Sequence, residues 1–188
     1  MHVLVTANIQ GELDMLPRLY TAIRRIKDSI DGTVLLIDTG RAWSPNSWIC
    51  RATENRAPYI ALDAMGYDAA VADGLSPQEF DKVSAQVQMQ LVVPGVQFNF
   101  ASNAVGLSFV PDESAETVSI QSARVRLPLP SQGAILHLKL ENQTIAQQHT
   151  ISITDTTPPD PTIAGAVEFI VSEARYYQKK RDTPHESI

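Results

Sequence analysis

Val34-Leu35-Leu36-Ile37-Asp38-Thr39-Gly40-Arg41 is the stretch on which the fold turns. It is a short, unbroken apolar run that ends in a polar turn, which reads as a strand buried on both faces of a parallel sheet. Asp38 and Arg41 then stand at its C-terminal edge, where open α/β sheets bind their ligands.

Upstream, His2 to Ala7 reads as a first buried strand that ends in Asn8-Ile9-Gln10-Gly11. Between the two strands Leu16, Leu19, Ile23, Ile26 and Ile30 recur at helical spacing, with Asp14 expected as the cap and Pro17 in the first turn. Strand, helix and strand at this separation form a βαβ crossover, so the two strands are expected to run parallel. Downstream, Thr39 to Thr53 reads as a long loop carrying Trp43, Pro45, Trp48 and Cys50. A helix is expected from Asn55 to Met65, closed by Gly66, and a third strand from Tyr67 to Ala72. Ser76-Pro77-Gln78-Glu79 carries a cap, a proline at the first helical position and a glutamate three residues after the cap, so it starts a helix expected to run to about Gln88.

Beyond Met89 the pattern changes to short alternating strands at Val96-Phe98-Phe100, Ala123-Val125-Leu127, Leu136-Leu138-Leu140 and Ile151-Ile153. Turn chemistry at Pro94-Gly95, Gln132-Gly133 and Glu141-Asn142 separates some of them, and a proline-rich stop at residues 157–161 precedes a last helix striped by Ile163, Val167, Ile170, Ala174 and Tyr177. The expected class is α/β, parallel in its first half and antiparallel in its second. One domain is expected over residues 1–180, with a flexible tail at 181–188.

The 188 residues suffice for one full core, and the 44% hydrophobic and 19% charged shares are those of a soluble globular protein. No apolar run reaches the roughly 18 residues that span a bilayer, so no membrane partner is expected. A net charge of −6 disfavours nucleic acid, and the small basic cluster Lys179-Lys180-Arg181 reads as a solvated face. Cys50 is the single cysteine, which fits a reducing compartment, and the N-terminus carries no basic leader, so a cytoplasmic location is expected.

Three segments carry a family resemblance: Thr6-Ala7-Asn8-Ile9-Gln10-Gly11, then Leu36-Ile37-Asp38-Thr39-Gly40-Arg41, then Ala64-Met65-Gly66-Tyr67-Asp68 running on to Asp73-Gly74-Leu75. In order and spacing they resemble the metallophosphoesterase domain of the 5'-nucleotidase family, of the calcineurin-like superfamily, in a degenerate and shortened form. Asn99-Phe100-Ala101-Ser102-Asn103, residues 138–145 and Pro159-Asp160-Pro161 resemble its later strand, closing hairpin and last helix. The resemblance implies a layered α/β fold. In active relatives it implies two divalent metals that generate hydroxide and clamp phosphate.

The ligand positions depart from that pattern. Asn8 stands for the first Asp, Gln10 for its His and Arg41 for the metal-bridging Asp. The Asn-His of the third motif falls on Gly74 and Leu75, or on Pro77 and Gln78 in a shifted register. The histidines are His2, His137, His149 and His185, so the catalytic His and the later His pair of the family have no counterpart between residues 3 and 136. His137 and His149 read as ordinary strand or surface residues. Two unit like charges a few Å apart repel by about 4 kcal/mol even at an effective dielectric of 20, so Arg41 is expected to exclude the metal pair.

Two readings follow for Arg41. It pairs with Asp38, Asp68 or Asp73 and plugs the site, or with Asn8 and Gln10 it binds a phosphate or carboxylate without metal. Trp43 and Trp48 either pack the loop or stack on a ligand ring. The expected ligand-binding set is Asn8, Gln10, Asp38, Arg41, Trp43, Asp73 and Gly74, with no catalytic residue and no cofactor. The expected function is an inactive metallophosphoesterase-like module that binds a protein partner, a second copy of itself as a homodimer, or a phosphate-bearing small molecule. The alternative is a phosphoesterase with a divalent-metal site rebuilt from Asp38, Asp68 and Asp73.

Overall fold

The computed structural model describes residues 1–94, 98–99, 108–111, 117–120, 125–142 and 144–182. Strands β1 (His2–Thr6), β2 (Val34–Asp38), β3 (Ala69–Val71) and β4 (Gln90–Val92) pair in parallel in that order. Strand β9 (Ala134–Glu141) adds antiparallel to the other side of β1, and β10 (Thr144–Ser152) closes the hairpin outside it, giving the order β10-β9-β1-β2-β3-β4. A second sheet is an antiparallel meander of β5 (Phe98–Asn99), β6 (Ser108–Pro111), β7 (Thr117–Ile120) and β8 (Val125–Pro128).

Residue parity assigns the two faces of the main sheet. Leu4, Leu36 and Ile135 pack with Leu16, Leu19 and Ile23 of helix α1 (Leu16–Asp28) and with Ile163, Val167, Ile170 and Ala174 of helix α5 (Pro161–Asp182). Val3, Val5, Leu35, Ile37, Leu136 and Leu138 pack on the other face with Leu127 of β8. Both faces of β1 and β2 are thus covered, which accounts for their continuous apolar runs. The arrangement is a layered α/β fold with parallel strands first, antiparallel strands later and a C-terminal helix, as the sequence leads one to expect.

Several local expectations need correcting. Asp14 does not cap α1: it lies in a 3-10 turn over Leu13–Met15, and the helix begins after Met15 with no side-chain cap. The loop after β2 contains helix α2 (Trp48–Ala52), whose N-cap Ser47 accepts from the Cys50 amide at 3.4 Å. Helix α3 (Arg56–Ala64) follows from Asn55, which is left-handed at φ 62. Helix α4 (Pro77–Ser84) stops four residues short of Gln88, because the Gln88 and Met89 amides turn to Asp63 Oδ1 at 2.8 Å and carry the chain into β4. The alternating pattern does not predict strands β4, β6 and β7. Val96, Phe100 and Ala123 lie outside the described residues, as does the tail from residue 183. Helix α5 itself runs through Asp182, and Arg181 donates to the Arg51 carbonyl at 2.7 Å.

The capping box at α4 is present as expected. Ser76 Oγ accepts from the Glu79 amide, and Glu79 Oε2 accepts from the Ser76 amide at 2.8 Å. Ser76→Ala removes the cap and is expected to cost about 1 kcal/mol, measured as a lowered urea midpoint.

Candidate functional site

The strand ends form one hydrogen-bonded unit. The Thr39 amide donates to the Thr6 carbonyl, then Asn8 N–H to Gly40, Gln10 N–H to Arg41 and Gly11 N–H to Ala42, all at 2.8–2.9 Å. The loop after β1 is therefore zipped to the loop after β2. Reaching this register puts Asn8, Gln10 and Arg41 in the left-handed region, at φ 59, 54 and 56. That conformation costs a side-chain-bearing residue about 1 kcal/mol or more. Such strain concentrates at functional sites and persists only where the surroundings hold it.

The third strand end is tied in through Asp73. Its Oδ1 accepts the Arg41 amide at 2.9 Å and its carbonyl accepts Trp43 Nε1 at 2.6 Å. Gly74 sits beneath the indole: at φ +69, a Cβ there would lie 2.9 Å from Trp43 Cζ2. Trp43 thus packs the site rather than standing open above it. Burial raises the Asp73 pKa, against the nearby Arg41 amide and charge, which lower it. Asn8 Nδ2 is drawn to the Pro130 carbonyl at 2.7 Å, and Gln132 Nε2 reaches the Ile9 carbonyl at 3.3 Å. The loop before β9 therefore braces the site, a contribution that nothing in the local sequence signals.

Asp38 is placed otherwise than the sequence reading has it. It shares parity with Leu36, so its side chain turns to the helix-covered face and is 1% exposed. Oδ2 accepts from Thr6 Oγ1 at 2.8 Å, Oδ1 from the Gly40 amide at 3.1 Å, and Thr6 Oγ1 bonds in turn to the Tyr67 hydroxyl at 2.9 Å. Burial pushes the Asp38 pKa up to about 8, although the Thr6 and Gly40 hydrogen bonds oppose the shift. Burial thus favours the protonated form near neutral pH, in which Oδ2 would donate to Thr6 Oγ1 in place of accepting from it. Thr6 and Tyr67, which the sequence does not single out, hold Asp38 in place.

The carboxylates of the rebuilt-site alternative do not converge. Asp68 precedes β3 and accepts the Leu36 amide at 2.8 Å, and it lines a cleft with Asp63 and Gln88 away from the strand ends. Asp38 is buried and Asp73 holds the Arg41 amide. Among the described residues no group of three or more His, Cys, Asp or Glu is arranged to hold a metal ion. The donor set here consists of two amides, a buried carboxyl with both oxygens engaged, a second carboxyl that holds the Arg41 amide and a guanidinium, which does not fit a dinuclear dication centre.

Clefts flank the unit. One, of about 440 Å³, is lined by Gln10, Glu12, Asp14, Arg18, Gln132 and Asp155 among others. The other, of about 410 Å³, is lined by Trp43, Cys50, Arg51, Asn55, Glu79 and Arg181 among others. Arg41 is exposed. Trp48, the first residue of α2, packs against the core cluster.

No family model matches the sequence, and no curated protein matches it. Solved structures do match. The crystal structure of the calcineurin-like phosphoesterase YfkN from Bacillus subtilis superposes with a TM-score of 0.59 at 10% identity, over 95% of this chain and 98% of that one. The chain has the calcineurin-like phosphoesterase fold.

Proposed function

We propose that this chain descends from metal-dependent phosphoesterases, no longer runs their two-metal hydrolysis, and uses its strand ends to bind a phosphate-bearing small molecule without metal. The observation that carries the reading is Arg41: an exposed residue on left-handed backbone at φ 56, its amide fixed by Asp73 and its charge beside that carboxyl, where the resemblance expects the bridging carboxylate. A guanidinium offers a planar fork of donors that matches phosphate oxygens, and the strained backbone beneath it is held by the loop after β1 and by Asp73. The finer resemblance, to 5'-nucleotidases, rests on Ala64-Met65-Gly66-Tyr67-Asp68 and makes a nucleoside monophosphate the first ligand to try.

Trp43 donates to the Asp73 carbonyl and so reports on the site by its fluorescence. Adenosine monophosphate or inorganic phosphate, titrated with no metal present, is expected to give a saturable change. Arg41→Gln is expected to weaken binding about 10–100-fold, the worth of a hydrogen bond to a charged group. A titration flat to millimolar ligand, or one unmoved by Arg41→Gln, overturns the proposal. Turnover of a generic phosphomonoester with added manganese, abolished by Asp73→Ala, would return the chain to the hydrolases.

A further inference from the structure

A second cluster lies at the opposite end of the main sheet, where three of the four histidines of the chain meet on adjacent strands. His137 of β9 is directly opposite His149 of β10 and Leu4 of β1, and His2 is its diagonal neighbour across β1. His2 Nδ1 and His137 Nε2 stand 2.9 Å apart. The His137 and His149 ring centroids are 6.4 Å apart. Nothing in the phosphoesterase resemblance accounts for this group, and it shares no residue with the strand-end site.

We propose that His2 Nδ1 and His137 Nε2 form a two-imidazole site for a divalent transition metal that takes donors at right angles, copper(II) or nickel(II), with water completing the coordination. Imidazole nitrogen suits copper, nickel and zinc. Two nitrogens about 2.0–2.1 Å from one metal stand about 2.8–3.0 Å apart at a right angle and about 3.3 Å apart at the tetrahedral angle. The 2.9 Å separation matches the first. Since no third His, Cys, Asp or Glu among the described residues is arranged to close around an ion, the site takes a metal that accepts water in its other positions.

Without metal, one of the two nitrogens carries the proton of the hydrogen bond between them. When the ion enters, that proton moves to the far nitrogen of the same ring, so both imidazoles stay neutral and both lone pairs face the metal. Desolvation lowers the pKa of both rings, which keeps them in this neutral form at pH 7. Positive charge from the N-terminal amine and Lys139 opposes a cation here, but Lys139 Nζ is paired with Glu141 at 2.6 Å. The pairing of β1 with β9 fixes the backbones that carry the two rings, and the hydrogen bond between them holds the nitrogens together, so binding requires the rings only to turn their lone pairs toward the ion.

The test is a nickel(II) titration of the untagged full chain at pH 7, followed by calorimetry and by paramagnetic broadening of the histidine ring resonances. One ion per chain is expected, with the His2 and His137 signals broadened first. His137→Gln is expected to weaken binding by more than the roughly tenfold that even an outer-shell change costs. His149→Gln, which removes a ring that supplies neither donor nitrogen, is expected to cost less than that roughly tenfold. Absence of binding, or binding that survives His137→Gln, overturns the site. Equal loss from His149→Gln overturns the two-donor assignment. None of these results bears on phosphate binding at Arg41.

Discussion

Asp38→Asn is expected to stabilise the protein at pH 7 by on the order of 4 kcal/mol and to flatten its dependence on pH. In the unfolded chain this carboxyl titrates near its ordinary 3.8, and in the fold near 8. Between about pH 4 and pH 8 the folded state therefore binds the extra proton, and stability falls as pH rises, by up to about 1.4 kcal/mol per unit. Below that window both states are protonated, and above it both are ionised, so the slope vanishes. Asparagine keeps the shape and needs no proton. Its Oδ1 still accepts the Gly40 amide, and its Nδ2 donates to Thr6 Oγ1, which turns its own hydrogen to the Tyr67 hydroxyl. Urea midpoints from pH 5 to pH 8 measure the effect. A variant no more stable than the parent at pH 7, with the same slope, would show that Asp38 is ionised and the site electrostatics are misread.

Gly11→Ala is expected to lose about 3 kcal/mol, or roughly 10 °C of melting temperature for a domain of this size. Gly11 has φ +76, and a Cβ there would lie 2.6 Å from both Cys50 Sγ and Ser47 Oγ. Ser47 is the cap of α2, and Cys50 is fully buried, so neither can withdraw cheaply. Left-handed backbone contributes about 1 kcal/mol of the loss and overpacking the remainder. Gly165→Ala is the contrasting case. It lies in α5 with nothing within 4 Å of a new Cβ, and is expected to gain up to about 1 kcal/mol from helix propensity. Two glycine-to-alanine changes with opposite signs in one thermal melt would test whether the loop after β2 is seated on Gly11.

Much of this architecture is legible in the residues. The β1-α1-β2 crossover follows from two apolar runs flanking a helical stripe, and α4 from its capping box, because in both cases local chemistry and tertiary packing agree. Helix α2 is not legible: five residues are too few for a helical period, and Ser47 is its one local signal. Asp14 fails as a cap because Leu13 is pulled into the core and tightens that turn into a 3-10 geometry.

At the strand ends Arg41, Trp43, Asp73 and Gly74 lie together, and Asn8 and Gln10 join them through the backbone zipper. The sequence reading misplaces Asp38, although the two-residue spacing from Leu36 already assigns that side chain to the inner face. The bracing by Pro130 and Gln132 comes from more than 120 residues away and leaves no mark on local pattern. Asp68, three residues before Val71 at the end of β3, is spent on the Leu36 amide.

Whether two dications can sit at these strand ends is most directly measured by anomalous scattering from crystals grown in manganese(II). The account predicts no pair of peaks beside Asn8, Arg41 and Asp73. Two peaks about 3.5–4 Å apart at that place, with the Arg41 side chain swung clear, would contradict it.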